Sequence, residues 1–171
     1  MKNDWKDYEA VPYSQELAPR LFLDYFYPIH FSIGMRIEQS LMSCGRLDRH
    51  QTVIMWILRS ESMRNDSDTI SRKEVVRLMT NWYDITSSMV SKALRGLAKE
   101  PLHYITLSED PNSGREKLIK ITPEGLAHCD RMIESATSLI KGITDQMSED
   151  ENKMGVFAFM RMDEEFSKIR T

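Results

Sequence analysis

The stretch from Ser71 to Gly125 constrains the fold most, because its side chains change rhythm from helical to alternating and back. Val75, Leu78, Met79 and Trp82 recur at i, i+3, i+4 and i+7, and Val90, Ala93, Leu94 and Leu97 repeat that spacing. Each set makes one apolar stripe on a short helix. Ser71 with Glu74 has the capping-box spacing for the first helix, and Asp84 or Thr86 supplies a cap for the second. Pro101 bars continuation, so the second helix should end near Lys99. His103 to Leu107 and Lys117 to Ile121 then alternate as two short strands. Asp110-Pro111-Asn112-Ser113-Gly114 between them is strong turn chemistry. Thr122 followed by Pro123 opens a new helix.

The face of the second helix opposite its apolar stripe carries Ser88, Ser91, Lys92, Arg95 and Lys99. A short, basic, hydroxyl-rich helix face holds the donors needed to meet phosphates and base edges in a DNA major groove. Two short helices followed by a hairpin read as a winged helix-turn-helix, and the expected function is DNA binding. Lys117 and Lys120 on the second strand suit neutralisation of backbone phosphate better than base reading.

Charge distribution agrees with that reading although the chain as a whole carries −3. Ile70 to Lys120 holds nine Lys/Arg against six Asp/Glu, while the remainder holds 14 against 20. A basic module on an acidic body would steer a duplex to one surface; ordinary scatter of a few charges would give a similar difference.

Around this unit the chain is helical. One helix is expected from about Leu21 or Pro28 to Cys44, with Phe22, Phe26, Ile29, Ile33, Ile37 and Leu41 on one face. Pro28 would open or kink it, and Gly45 would stop it. Asp48 and Gln51 cap a helix whose Val53 to Leu58 run is apolar all round and belongs in the core. Ser62 to Thr69 reads as polar loop. Beyond Pro123, the residues Leu126, Cys129, Ile133, Ala136, Ile140, Ile143 and Met147 alternate spacings of three and four, the seam of a rod packing against another helix. Ser148 with Glu151 caps a last helix bearing Met154, Phe157, Met160, Phe166 and Ile169.

At 171 residues and 41% hydrophobic, one core is expected. No apolar run is long enough to span a bilayer, and Met1 to Leu17 has no basic-then-apolar signal pattern. Cys44 and Cys129 form no disulfide framework and fit a reducing compartment, so the cytoplasm is the expected location. His30, His50, His103 and His128 do not cluster at metal-ligand spacing; no metal or cofactor is expected. Nucleophile-elbow, P-loop, dinucleotide and HExxH patterns are missing, which argues against an enzyme.

The order of elements and the residues at their joints resemble the MarR family of transcriptional regulators from about Leu21 onward. GRLDRHQTVIMWIL looks like the family's second helix with its entry turn, and SMVSKALRGLAKEPLHYITL is similar to its recognition helix running into the wing. DPNSGREKLIKITPEG, the most specific of the three, resembles the wing closing into the long fifth helix. The resemblance implies a mainly α protomer with a small β-hairpin wing, assembled as a triangular homodimer on a helical dimerisation stem. Residues 1–47 and 123–171 would form the dimerisation region and 48–122 the winged helix-turn-helix. It further implies a regulator, expected to be a repressor, that reads a pseudo-palindromic operator in double-stranded DNA and answers to a small-molecule effector. By position, Thr86, Ser87, Ser88, Ser91, Lys92 and Arg95 match the recognition face, and Arg115 matches the arginine that the family inserts in the minor groove. Asn112, Ser113 and Lys117 complete the candidate site on the hairpin.

Ser113 stands where the family usually carries Asp, with only Asp110 near enough in sequence to substitute. The turn between the two helices also holds about four extra residues, Asn81-Trp82-Tyr83-Asp84, read as one further helical turn because Trp82 continues the stripe. Two rival readings follow from particular residues. Ser113 and the acidic balance suit a winged-helix module that binds protein rather than DNA, and Cys44 suits a redox-sensing regulator.

Overall fold

The computed structural model describes residues 11, 13–65, 67–111 and 113–169, and for residue 115 the backbone alone. The chain divides into two compact units, residues 1–38 and 39–171.

In the first unit, α1 (Ala18–Pro28) passes into a π-helical turn at Ile29–Gly34 and then α2 (Met35–Met42), whose later residues belong to the second unit. The helix begins earlier than either expected start, with Pro19 in its first turn, where a missing N–H costs nothing. Pro28 neither opens the helix nor simply kinks it: it ends α1 and leads into the π turn, closed by the Met35 N–H donating five residues back to the His30 carbonyl. A proline cannot donate to the preceding turn, and the widened register takes up the break. Of the expected apolar face, Phe22, Phe26 and Ile29 are exposed, Ile33 and Ile37 half-buried.

The second unit is built on α3 (Arg49–Asn65). The Asp48 and Gln51 capping box is complete: the Gln51 N–H donates to Asp48 Oδ1 (2.9 Å), and the Asp48 N–H to Gln51 Oε1 (3.1 Å). Val53, Ile54, Met55, Ile57 and Leu58 are buried as expected, but Trp56 turns outward. Six consecutive residues cover every direction around a helix, and one side of α3 faces away from the core.

α3 runs to Asn65, into the expected Ser62 to Thr69 loop, and Thr69–Ser71 forms β1, for which no strand was expected. Three residues are too few to establish alternation, so this strand left no legible pattern. α4 (Arg72–Trp82) and α5 (Ser87–Ala98) follow, then β2 (Ile105–Asp110) and β3 (Ser113–Ile121), both longer than the expected strands. The sheet has the order β1-β3-β2, antiparallel throughout, with Ile70 opposite Ile119 and Leu107 opposite Ile119 on the other side. A register shift at Glu109/Asp110 brings Asp110 opposite Ser113.

α6 (Pro123–Thr144) and α7 (Glu149–Ile169) complete the chain. The expected heptad seam of α6 coincides with its buried face only in part, at Cys129 and Ala136, with Ile133 and Ile140 half-buried. Gly125, His128, Cys129, Met132 and Ala136 are buried, whereas Leu126, Ile143 and Met147 are exposed. The first half of α6 lies on α3, where Cys129 Sγ donates to the Met55 carbonyl (3.8 Å); buried Gly125 and His128 escape a search for apolar side chains. Ser148 and Glu151 cap α7 reciprocally, the Ser148 N–H donating to the carboxylate (2.7 Å) and the Glu151 N–H to the hydroxyl (3.3 Å). No described residue of α7 is buried, and Met154, Val156, Phe157, Phe159, Met160 and Phe166 are all exposed. The mainly α fold with a small strand wing, the winged helix-turn-helix, is present as expected.

Candidate nucleic-acid interface

α4 starts because the Ser71 hydroxyl accepts the Glu74 N–H (3.1 Å). The second arm of the expected box is spent elsewhere: the Glu74 carboxylate grips the Arg77 guanidinium (2.8 Å and 2.5 Å), which holds it below the usual carboxylate range. Val75, Leu78 and Met79 bury the stripe. The helix does extend through Asn81 and Trp82, but Trp82 is exposed; the core is continued instead by buried Ile85 in the turn.

Of the two candidate caps for α5, Thr86 serves, its hydroxyl accepting the Met89 N–H (3.3 Å). Val90, Leu94 and Leu97 are sealed into the core, Ala93 is half-buried, and α5 ends at Ala98 with Lys99 as its cap. This anchorage forces the other side outward. Thr86, Ser87, Ser88, Lys92 and Arg95 are exposed, joined by Met89, which sequence reasoning did not select. Ser91 differs: it is half-buried, donates to the Ser87 carbonyl (2.7 Å) and accepts from Arg72 Nη2 (2.7 Å).

The hairpin stands beside α5, and the two enclose a concavity of about 480 Å³ lined by Arg72, Ser91, Leu94, Arg95, Leu107 and Lys117. Three predicted residues, Ser91, Arg95 and Lys117, are thereby brought together. Arg72 and Leu107 are additions; the legible hint for Arg72 was a cation in the first turn of a helix, against the helix dipole. Across the strands Lys117 Nζ pairs with Glu109 (2.9 Å) and holds that carboxyl below its usual range. Lys120, three residues on, belongs to the other face of the sheet, because side chains alternate along a strand. It pairs with Asp68 and borders a cleft among α3, β1, β3 and α6. The two lysines therefore do not serve one surface.

A further clasp ties hairpin to helix: the Lys73 N–H donates to Glu116 Oε1 (3.1 Å). Ser113 is exposed on β3. Asn112 lies outside the described residues, and of Arg115 only the backbone, within β3, is described.

At its root the wing is locked to α6. The Thr122 hydroxyl donates to the His103 carbonyl (2.8 Å) and accepts the Gly125 N–H (3.0 Å), while the Thr122 N–H donates to the Tyr104 carbonyl (3.0 Å). His128 is buried and stacked on Tyr104, with ring centroids 4.7 Å apart. Burial, and then the neighbouring Arg131, depress its pKa. Burial pushes the Cys129 thiol up to about 11, while Cys44 is half-buried. Among the described residues no three His, Cys, Asp or Glu side chains are grouped to hold a metal ion, and no helix is long and apolar enough to cross a membrane.

Residues 47–125 match the family model of a winged helix DNA-binding domain. No curated protein matches the chain in sequence. Several solved structures share its fold. Wild-type MarR of E. coli is 14% identical with a TM-score of 0.58, covering 78% of this chain and 93% of that one. A MarR family transcriptional regulator from Streptomyces coelicolor, solved in complex with DNA, is 15% identical with a TM-score of 0.59, covering 90% and 91%. MepR, a transcription regulator of the Staphylococcus aureus multidrug efflux pump MepA, is 17% identical with a TM-score of 0.58, covering 90% and 99%.

Proposed function

From a chain whose residues 47–125 form a winged helix DNA-binding domain, and whose fold is that of the MarR regulators, we propose that this protein is a DNA-binding transcriptional regulator. One observation carries the reading: the exposed basic and hydroxyl-rich face of α5, set beside the hairpin. α5 enters a major groove through Thr86, Ser87, Ser88, Lys92 and Arg95, with half-buried Ser91 behind them, and the hairpin reaches the flanking minor groove through Asn112, Ser113, Arg115 and Lys117.

The protein acts as a homodimer in the cytoplasm. Support comes from α7, whose row of exposed Phe and Met residues has the composition of a face made to be covered. Two such protomers place their recognition helices about one helical turn, roughly 34 Å, apart on a pseudo-palindromic operator. The output is repression, relieved by a small effector. The cleft of about 270 Å³ among α3, β1, β3 and α6 suits an apolar one, with Leu58, Ile119 and Leu126 among its lining residues and Lys120 at its border.

Fluorescence anisotropy with a duplex from the gene's own upstream region tests the reading. Arg95→Ala and Arg115→Ala should each weaken binding by about 1–3 kcal/mol. If the double variant gives the wild-type isotherm, these faces do not bind the duplex. If wild type retains no duplex at low salt, the domain serves as a protein-binding module instead.

A further inference from the structure

We propose that Arg72 is a further DNA-contacting residue, positioned by Ser91, and that the concavity between α5 and the hairpin seats one backbone phosphate of the duplex; this rests on the DNA-binding reading above. Arg72 occupies the first turn of α4, where a cation opposes the helix dipole. Nothing local repays that placement. Glu74 is engaged with Arg77, Glu116 receives the Lys73 N–H, and among the described residues no carboxylate forms an ion pair with Arg72. Its guanidinium instead reaches across to α5 and donates to Ser91 Oγ at 2.7 Å.

The Ser91 hydroxyl is committed by this arrangement. Its proton goes to the Ser87 carbonyl at 2.7 Å, so it meets Arg72 as an acceptor. A hydroxyl spent in this way has no donor left for a base edge; it orients the arginine. A guanidinium carries five N–H donors in a planar fork, and most remain for a ligand. The same concavity is bordered by Arg95 and Lys117, contributed by two other elements. Of these three cations, Lys117 alone has a carboxylate partner among the described residues, Glu109, in an exposed pair that water screens and an incoming anion can replace.

Position identifies the anion. A sugar-phosphate strand separates every major groove from the adjacent minor groove. A side chain between a helix in one groove and a hairpin in the next therefore faces that strand. Arginine at such a point binds a phosphodiester in its fork, independently of sequence.

The test measures anisotropy on two labelled duplexes, one from the gene's upstream region and one of mixed sequence, across a salt series. Arg72→Ala should weaken binding about tenfold on both duplexes and lower the salt slope by about one. Its thermal midpoint should stay level or rise, since an unfavourable dipole contact is removed. Arg72→Lys should restore the slope but not the full affinity, because an ammonium cannot hold Ser91 and a phosphate in one plane. Ser91→Ala should keep the wild-type slope while losing several-fold in affinity. Wild-type affinity and slope in Arg72→Ala, or in Arg72→Lys should the alanine variant fail to fold, would overturn the phosphate contact alone. An unchanged Ser91→Ala would overturn the positioning. Wild-type protein that binds neither duplex defeats the DNA-binding reading itself, an outcome separate from either.

Discussion

Replacing Gly125 by Ala should destabilise the protein, although the same exchange within a helix ordinarily stabilises it. A Cβ at this position would lie 2.1 Å from the Tyr104 carbonyl oxygen and 2.8 Å from Ile121 Cγ2. Ordinary van der Waals contact begins near 3.4 Å, so α6 and the entry to β2 would have to part by more than 1 Å. The obstacle is backbone, which cannot swing aside as a side chain would. Three hydrogen bonds cross or support this joint: Thr122 N–H to Tyr104, Thr122 hydroxyl to His103, and Gly125 N–H to Thr122. At about 1 kcal/mol net for each bond lost, against at most about 1 kcal/mol gained by removing a helical glycine, the balance is about 2 kcal/mol of destabilisation. Urea unfolding at matched protein concentration reads this as a lower midpoint with unchanged slope. Gly142→Ala is the internal control. Nothing lies within 4 Å of a Cβ there, and a gain of about 0.5–1 kcal/mol is expected. If both variants are equally stabilised, the close approach of Gly125 to Tyr104 is wrong.

His128 ties stability to pH. Its depressed pKa means that the unfolded chain takes up a proton that the native ring resists. Its contribution is therefore intact above the ordinary histidine value and is lost as pH falls below it. Between pH 7.5 and 5.5 the urea midpoint should drop more for wild type than for His128→Gln; parallel drops would refute this. Cys129, buried with its pKa near 11, should stay unmodified by a thiol reagent at pH 8 in the native protein and react once guanidinium is added. Peptide mapping that finds Cys129 labelled first would contradict the packing. Ser71→Ala removes the acceptor of the Glu74 N–H and should cost about 1 kcal/mol in thermal unfolding.

Local chemistry was readable wherever a side chain acts on its own backbone. Asp48 with Gln51, Ser71 with the Glu74 N–H, Thr86, Thr122 and Ser148 with Glu151 all cap the helices they were expected to cap. These interactions close within three residues, so a short window of sequence contains both partners. The inward faces of α4 and α5 were legible for a related reason, since one contiguous core fixes a helical period. The segment closing the wing into α6, which ends in Thr122-Pro123-Glu124-Gly125, was the most specific resemblance, and the closeness of Gly125 to Tyr104 supplies a physical cause for its glycine.

What the tertiary structure alone decided depends on partners far apart in the chain. β1 exists because β3 offers an edge nearly fifty residues away, and three residues could not announce it. The buried side of α6 is set by α3 and the wing root, which add Gly125, His128 and Met132 to Cys129 and Ala136 and leave Leu126 and Ile143 of the heptad seam exposed. Arg72 appears beside Ser91 only once α4 and α5 have packed, and Lys117 parts from Lys120 only once the strand is pleated. Sequence by itself determines which faces are apolar and which side chains cap a helix, because those energies are local. Which face meets which neighbour is a property of the assembled core, where burial belongs to all the elements together.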